Sequence, residues 1–390
     1  MRKIALITTS RADYGIQARL AKMLQADADL DFHLIVSGTH LSAKHGYTVK
    51  EIERDGVAIS ARVDIGIDDA VNVPQIMAKA IMGFSEVLTG VEPEICVLLG
   101  DRFEMFAAAT ACTLCNIPVA HLHGGEATQG AHDEAFRHSI TKMAHLHFTS
   151  CEEYRRRVIQ LGENPNRVFN VGALGVENVH RVEIIPRDEL VADIGIVLRK
   201  RNFLVTFHPV TFDKGAAGRQ ADELLAALSS LDDATIIFTH PNADAEGDDI
   251  VHRIAKFVEE HDNAYLFSSL GARRYLSLVK CVDAVVGNSS SGIIEVPSLR
   301  TATVNIGDRE GGRIRAESVV DCKPDRQSIT AAISTVLSDE FREKLKTVVN
   351  PYDKAGTASA ILEKLKSLDT RNILKKKFYD TNWRKPDEIL

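Results

Sequence analysis

The sequence predicts an α/β fold built from two parallel, doubly wound sheets. Short apolar runs, typical of buried parallel strands, alternate with amphipathic helical windows along the chain. In the first half these runs cover residues 3–9, 32–36, 95–99, 117–122 and 168–171. After a polar stretch the alternation returns at residues 203–207, 235–239, 264–267, 284–286 and 301–306. Two series of strands therefore indicate two sheets.

The repeat divides the 390 residues into two Rossmann-like domains. We expect an N-terminal domain over residues 1–175 and a C-terminal domain over residues 176–365, with residues 366–390 packing back on the first. Two such domains facing each other enclose a cleft with the carboxyl ends of strands on both walls, where ligands of α/β proteins bind. The sequence therefore predicts an active site between the domains.

The composition favours an enzyme over a nucleic-acid-binding or membrane protein. Apolar residues make up 45% of the chain, enough for sizeable cores, while the net charge of -7 lacks the basic footprint of a nucleic-acid binder. No apolar run reaches the eighteen or so residues of a membrane helix, and residues 1–4 lead directly into a predicted strand without a signal-peptide core. We therefore expect a cytoplasmic protein without a nucleic-acid or membrane partner.

The six cysteines are expected to be buried free thiols, because most of them lie in apolar runs. Cys112 and Cys115 form a CxxC pattern, but no second pair of ligands accompanies it, and the chain has no HExxH motif. The sequence therefore predicts neither a metal site nor a cofactor.

Residues 98–138 contain many acids, bases and glycines, and these residues follow the ends of two predicted strands. The first strand leads into Gly100-Asp101-Arg102, and the second leads into a His-Gly-Gly-Glu segment that contains His123 and Glu126. Asp133, Glu134, Arg137 and His138 follow in a predicted helix. Since strand ends of open α/β sheets bind ligands, these residues are candidates for chemistry.

Purely structural explanations exist for the same residues. Asp101 precedes a helical window and can act as a helix cap, while Asp133 and Glu134 suit the positive end of a helix dipole. Arg137 and His138 lie one turn later, where a local ion pair is worth about 0.2–0.5 kcal/mol. Taken singly, these residues do not decide between the two explanations.

The second half carries a candidate seat for a diphosphate. Residues 287–292 read Gly-Asn-Ser-Ser-Ser-Gly and join a strand to a helix that bears Glu295, and His208 ends an earlier strand. Free backbone N–H groups and hydroxyls at such a helix start can hold a phosphate, although a simple N-cap explains the same residues. Neither half contains GxGxxG or GxxxxGK[ST], which argues against a nicotinamide dehydrogenase or a P-loop NTPase.

An ordered set of motifs resembles the hydrolysing UDP-N-acetylglucosamine 2-epimerases. In chain order these are SRAD, GDR, HGGE, RHSI, HPVT, PNAD, GNSSSG with a Glu soon after it, and a second GDR. The resemblance spans about residues 3–365. It implies a GT-B fold, with the nucleotide held mainly by the C-terminal domain and the catalytic acids in the N-terminal one.

The resemblance also implies the reaction. Members of this family remove the proton at sugar carbon 2 and expel UDP from carbon 1, and water then adds to the glycal to give N-acetylmannosamine. A carboxylate must be held close to so weak an acid, and cations must assist the departing diphosphate. We expect Asp101 and Asp133 to form the acid/base pair, and His123 and Glu126 to be further catalytic groups. We expect four side chains to offset the charge of the diphosphate; they are Arg11, Arg102, His208 and Arg309.

The remaining expected contacts to substrate or nucleotide also follow from the resemblance; they are Asp13, His40, Arg137, His138, Asn242, Ser289, Ser290 and Glu295. The same resemblance leads us to expect a homo-oligomer, either a dimer or a tetramer. The expected partner is a nucleotide-sugar substrate.

Position 123 departs from the family pattern. Many members read IEGGE where this chain reads LHGGE, so that His123 replaces a carboxylate. Imidazole also transfers protons near neutral pH, which preserves the reaction class but suggests a different sugar. The alternative substrate is UDP- or GDP-linked N,N'-diacetylbacillosamine, a precursor of legionaminic-type acids.

Two other functions compete with the epimerase. A GT-B glycosyltransferase shares the predicted fold and the nucleotide-sugar site, but the chain shows no basic amphipathic stretch for a lipid acceptor. A non-catalytic nucleotide-sugar sensor would lack the N-terminal acids, which are present. Both are more distant alternatives.

Overall fold

Two parallel sheets organise the chain. The structure is a computed structural model, and it describes residues 1–69, 72–129, 131–210, 215–231, 233–241 and 247–381. Within these residues the first sheet has seven strands in the order β3-β2-β1-β4-β5-β6-β7. They are β1 (Arg2–Thr8), β2 (Leu30–Ser37), β3 (Ile59–Val63), β4 (Ile95–Leu99), β5 (Val119–Leu122), β6 (Leu146–Thr149) and β7 (Val168–Asn170).

The second sheet has six strands among the described residues, in the order β10-β9-β8-β11-β12-β13. They are β8 (Arg201–Thr206), β9 (Ala234–Thr239), β10 (Ala264–Phe267), β11 (Ala284–Gly287), β12 (Ala302–Ile306) and β13 (Val319–Cys322). Neighbouring strands pair in parallel in both sheets, which confirms the predicted fold class.

Helices connect most of the strands. The helices up to the end of the first sheet and just beyond it are α1 (Arg11–Ala26), α2 (Val49–Arg54), α3 (Val73–Val91), α4 (Phe103–Leu114), α5 (Asp133–Met143), α6 (Glu152–Gln160) and α7 (Leu174–Arg181). The later ones are α8 (Arg187–Ile194), α9 (Ala217–Leu228), α10 (Gly247–Glu260), α11 (Gly271–Val279), α12 (Ser291–Ile294), α13 (Arg326–Val336), α14 (Asp339–Leu345) and α15 (Thr357–Ser367). Single 3₁₀ turns cover Gly38–Leu41, Pro165–Arg167 and Val296–Leu299.

The chain forms two compact units. The first comprises Met1–Glu126, Asp133–Glu177 and the described residues from Lys354 onward, and the second comprises the described residues of Ala127–His132 and Asn178–Asp353. The chain thus leaves the first unit and returns to it at Lys354.

Each face of the first sheet is covered, which explains the uninterrupted apolar strands. In β1, Ile4 and Leu6 belong to one core cluster, whereas Ala5 and Ile7 belong to the cluster on the other face. Parallel sheets buried on both faces read as continuous apolar runs for this reason. In the described part of the chain, no helix is long and apolar enough to cross a membrane.

Sequence patterning does not predict β3, β6 and β13, because each is short and carries polar residues. β3 reads Ile-Ser-Ala-Arg-Val, and it alternates between half-buried and exposed positions before the buried Val63, at the edge of its sheet. β6 includes His147, and β13 includes Asp321. These three strands form because each pairs with a neighbouring strand, and not because its own residues form an apolar run.

The returning C-terminal segment is bonded to the first unit through Glu163, whose carboxylate is buried. Glu163 accepts hydrogen bonds from Lys142 at 2.6 Å and from Lys376 at 2.9 Å, and its other oxygen lies 3.0 Å from the ring of His147. Burial raises the pKa of Glu163, but these three partners together lower it to about 2. Lys376 also donates to the carbonyls of Lys142 and Ala144, at the end of α5.

The mutation Glu163→Gln is expected to lower the free energy of unfolding by about 3 kcal/mol, because two ammonium groups lose a buried counter-charge. A carboxylate with a lowered pKa stabilises the fold above its ordinary pKa of about 4.5, and this contribution is lost as the pH falls towards 2. Urea unfolding at pH 7 and pH 4 measures both effects.

Glu152→Gln is the matched control, since its carboxylate is 43% exposed and pairs with Arg155 at the surface. Its effect is expected to stay below about 1 kcal/mol. Equal effects of the two substitutions would contradict the role assigned to Glu163.

Candidate active site

Three neighbouring strands bring candidate residues of the first unit to one edge of its sheet. β1, β4 and β5 lie side by side in parallel, with Leu99 opposite Leu122. Their carboxyl ends therefore open at the same edge. The segments leaving this edge contain Arg11 and Asp13 after β1, Asp101 and Arg102 after β4, and His123 and Glu126 after β5.

Arg137, on α5, joins the segments after β4 and β5 through a fully buried guanidinium. Its Nε and Nη2 atoms both donate to Oδ2 of Asp101, the Nε bond being 2.9 Å long. Its Nη1 atom donates to Oε2 of Glu134 at 2.7 Å and to the carbonyl of Glu126 at 3.0 Å. All three guanidinium nitrogens therefore bond to other groups of the same unit.

Asp133, the first residue of α5, is close enough to Asp101 for their charges to interact. Burial, and then the charge of Asp101, raises the pKa of Asp133 to about 6, against the opposing effects of Arg102 and Arg137. Asp101 does not cap α4, because the N-cap is Arg102 and no side chain caps that helix. The two carboxyl groups thus differ in environment, since Asp101 is bonded to the guanidinium of Arg137 and Asp133 is held mainly by burial.

Arg102 is held by a glutamate that the sequence reasoning missed. Glu104 is fully buried and accepts from Nε and Nη2 of Arg102 at 3.2 and 3.1 Å. Asp13 accepts from the hydroxyl of Thr9 at 2.7 Å, and burial raises its pKa while Arg102 lowers it. The available signal was the position of Glu104 in an otherwise apolar helix, where a buried acid requires a partner.

His123 has an unusual backbone conformation, with φ at 65°. Its Nδ1 atom lies 3.3 Å from Oε1 of Glu126, and the hydroxyl of Ser150 donates to the same carboxylate oxygen at 2.7 Å. A left-handed conformation in a residue other than glycine is uncommon and is enriched at functional sites. Glu126 therefore contacts both the imidazole of His123 and, through its carbonyl, Arg137.

The remaining expected residues of the first unit differ in exposure. His40 is buried, and its ring nitrogens contact the hydroxyls of Thr8 at 3.1 Å and Thr48 at 2.8 Å. Burial lowers the pKa of His40 to about 4, so that the ring is neutral at pH 7. Arg11 is exposed, and His138 contacts Glu134 at 3.1 Å.

A reciprocal clamp fixes the loop after β11 in the second unit. The backbone N–H of His208 donates to Oδ1 of Asn288 at 2.7 Å, and Nδ2 of Asn288 donates to the His208 carbonyl at 2.8 Å. Arg309 donates to the Asn288 carbonyl at 3.1 Å. Burial, with a smaller effect of Arg309, lowers the pKa of His208 to about 3, so the imidazole is neutral.

Gly287 allows this loop to pass close to β8. Its φ is 139°, and a Cβ atom at this position would lie 1.9 Å from the carbonyl oxygen of Thr206. Ser289 and Ser290 follow in half-buried positions. Only glycine fits this approach.

The helix after the loop is shorter than the sequence suggests. α12 covers four residues and is followed by the 3₁₀ turn that contains Pro297, so Glu295 lies between the two rather than inside one helix. The carboxylate of Glu295 accepts from the hydroxyl of Ser291 at 2.5 Å, and Ser291 in turn accepts from Tyr275 at 3.0 Å. Burial raises the pKa of Glu295.

The structure therefore brings most candidate residues into two groups, one in each unit. The group in the first unit centres on Asp101, Arg102, Asp133 and Arg137, and the group in the second on His208, Asn288 and Arg309. Asn242, expected to contact the nucleotide, lies outside the described residues. Asn288 is the residue of the second group whose role the sequence reasoning did not identify, although it lies within the GNSSSG motif.

Two α/β units, each built on a sheet of parallel strands, give the chain a GT-B-like fold. A model of the UDP-N-acetylglucosamine 2-epimerase family matches residues 22–366, and the chain belongs to this family. It is a nucleotide-sugar 2-epimerase by family.

Similar proteins cover the chain almost completely. It is 39% identical to polysialic acid biosynthesis protein P7 of Escherichia coli, over 97% of this chain and 98% of the relative. It is 38% identical to the GDP/UDP-N,N'-diacetylbacillosamine 2-epimerase (hydrolyzing) of Campylobacter jejuni, over 97% and 99%. The solved structure of Neisseria meningitidis UDP-GlcNAc 2-epimerase bound to UDP-GlcNAc shares the fold, with a TM-score of 0.80, 15% identity and coverage of 94% and 100%.

The mutation Gly287→Ala is expected to lower the free energy of unfolding by about 3 kcal/mol, because the methyl group meets backbone and the φ value is strained. Urea unfolding followed by circular dichroism measures the change. Gly271→Ala is the control, because Gly271 also has a positive φ but no atom lies within 4 Å of the added carbon. A similar loss in both variants would show that contact with Thr206 does not constrain the loop.

Proposed function

We propose that this protein is a hydrolysing epimerase that converts UDP-N-acetylglucosamine and water to N-acetylmannosamine and UDP. The observation that carries the proposal is the charge interaction between Asp101, just after β4, and Asp133, at the start of α5, with Arg137 bonded to Asp101. Family membership supplies the reaction class, and relatives at 38% and 34% identity are named as hydrolyzing 2-epimerases.

The chemistry needs two proton transfers at one sugar carbon. In the first step a carboxylate takes the proton from carbon 2, and the electron pair of the C2–H bond forms the C1=C2 double bond. The C1–O bond breaks at the same time, and UDP leaves with the electron pair of the C1–O bond. In the second step water adds its hydroxyl to carbon 1, and a proton is added to carbon 2. This proton arrives on the face of the sugar opposite to the one from which the first proton was removed. One carboxylate that accepts and one carboxylic acid that donates meet this need.

Asp101 is suited to be the carboxylate that accepts a proton, and Asp133 is suited to be the carboxylic acid that donates one. Asp101 receives two hydrogen bonds from a guanidinium, which favours its ionised form, whereas burial favours the protonated form of Asp133. His123, next to Glu126, is a further group suited to moving a proton.

Cations and backbone groups are proposed to hold the diphosphate. In the second unit Arg309 lies against the loop that contains Ser289 and Ser290, and His208 is fixed by Asn288. In the first unit Arg102 and Arg11 follow strand ends. Positive charge near the leaving oxygen stabilises the charge that develops as UDP departs.

A second candidate substrate is UDP- or GDP-linked N,N'-diacetylbacillosamine. The Campylobacter and Legionella relatives named for this substrate are 38% and 34% identical to this chain, whereas a Neisseria relative named UDP-N-acetylglucosamine 2-epimerase is 28% identical. His123 replaces the carboxylate common in the family. The mechanism would be unchanged, and only the groups around sugar carbons 4 and 6 would differ.

Turnover in deuterated water distinguishes these substrates. The purified protein is incubated separately with UDP-N-acetylglucosamine and with UDP- and GDP-linked diacetylbacillosamine, without an acceptor, and products are followed by NMR. We expect free UDP and N-acetylmannosamine carrying deuterium at carbon 2. Turnover of the trideoxy sugar alone would assign the second substrate, and absence of nucleotide release from all three would overturn the proposed reaction.

Asp101→Asn serves as the inactive comparison in this assay. Loss of a positioned proton acceptor is expected to lower kcat by about 10²-fold or more. Asp29→Asn is the control, because this carboxylate is 78% exposed and precedes β2 at the opposite edge of the sheet. It is expected to leave kcat unchanged.

The pH dependence of kcat tests the proposed state of Asp133. If Asp133 must be protonated, kcat falls as the pH rises through its pKa, which is about 6 in the ligand-free protein. A bound diphosphate adds negative charge and raises this pKa further, so the falling limb is expected at or above pH 6. Asp133→Asn should remove that limb, whereas a rate that rises through the same pH range would show that Asp133 acts as the base.

A further inference from the structure

We propose that Arg137 is a positioning residue that acts on Asp101 and does not bind the nucleotide sugar, and that it decides which carboxyl group of the pair enters the reaction ionised. The inference deepens the proposed function and rests on it. It gives Arg137 a different role from the substrate contact expected from the family resemblance.

Burial is the first reason. Arg137 is completely inaccessible to solvent, and each guanidinium nitrogen already bonds to a group of the first unit. A guanidinium in this state cannot reach a ligand without breaking its contacts to two carboxylates, those of Asp101 and Glu134. Losing such contacts without replacement is costly.

The direction of the bonds is the second reason. Both Nε and Nη2 donate to Oδ2 of Asp101, so the planar guanidinium fixes the orientation of this carboxylate. The Asp101 side chain remains 23% exposed. A carboxylate that is held in one orientation and remains partly exposed is suited to meet a substrate in a defined geometry.

The charges around the pair are the third reason. Two neighbouring carboxyl groups resist ionising together, and a cation bonded to one of them decides which remains charged. Other elements of the unit also contribute charged or titratable groups. They are Arg102 and Glu104 at the start of α4, His121 on β5, His123 and Glu126 in the loop after it, and Glu134 and His138 on α5.

Several of these groups have partners of their own. Arg102 is paired with the buried Glu104, and His121 is buried and neutral because desolvation lowers its pKa to about 3. His138 contacts Glu134. Arg137 is the cation that makes two hydrogen bonds to Asp101, and Glu134 is the acid that shares it.

The test uses Arg137→Lys and Arg137→Met in the full-length protein, with three measurements on each. Calorimetry gives the affinity for UDP, steady-state kinetics give kcat against pH, and ¹³C NMR of labelled aspartate carboxyl groups gives the titration of Asp101, identified by its loss in Asp101→Asn. We expect UDP affinity within about threefold of the parent, kcat lowered by 50-fold or more, and the Asp101 titration moved to higher pH. Lysine should retain part of the effect, because it keeps the charge and loses the fork.

Opposite results would overturn the inference. A tenfold or greater loss of UDP affinity, with kcat at saturation and the Asp101 titration unchanged, would make Arg137 a ligand-binding residue. The NMR titration and UDP binding need no turnover. A parent protein that turns over none of the sugars would therefore refute the proposed function while leaving the control of Asp101 by Arg137 measurable.

Two further variants keep the test decisive. Arg155→Lys is the matched control, since Arg155 also bonds to a carboxylate and to backbone carbonyls, those of Val168 and Pro165. This substitution is expected to leave all three measurements unchanged.

If the Arg137 variants do not fold, Glu134→Gln removes the competing acid and leaves the guanidinium in place. The Asp101 titration should then move to lower pH with UDP affinity unchanged, and an unchanged titration would contradict the proposal.

Discussion

Parallel pairing of β1, β4 and β5 is the constraint on which the candidate site of the first unit depends. Because of this pairing, three chain segments leave the sheet at the same edge. The buried strands must be apolar, so the polar groups lie in the segments that follow them. A helix that begins near this edge, α5, then contributes the guanidinium that links two of these segments. The order of the strands thus determines which candidate residues lie close together, whatever their separation in the sequence.

The protein buries charge in small compensated groups. Arg137 has Asp101 and Glu134, Arg102 has Glu104, and Glu163 has two lysines. In the second unit Glu310 is buried between Arg309 and Arg313. Because an uncompensated buried charge costs several kcal/mol, each group is tolerated only as a whole. Near the strand ends the same burial raises the pKa of Asp133 towards neutrality, as the proposed role of this residue requires.

Apolar periodicity was sufficient to predict both sheets and ten of the strands found in the described residues, and the motif order identified the family. The local contacts of Arg137 and His138 with Glu134 were also within reach, because they lie three and four positions apart on one helix. The bonds from Arg137 to Asp101 and from Asn288 to His208 were not, because these partners are 36 and 80 positions apart. Long-range polar partners depend on strand order and loop path, which a pattern of apolar residues does not encode.

The return of the chain to its first unit also has a consequence for the order of synthesis. Lys376 caps carbonyls at the end of α5, the helix whose first residue is Asp133. The ribosome must therefore translate the whole second unit before this helix receives its final contacts. At about 5–20 residues per second, translation from residue 177 to residue 376 takes roughly 10–40 s. During that interval Glu163 lacks one of its two lysines, and the last carbonyls of α5 lack the ammonium group that caps them in the complete chain.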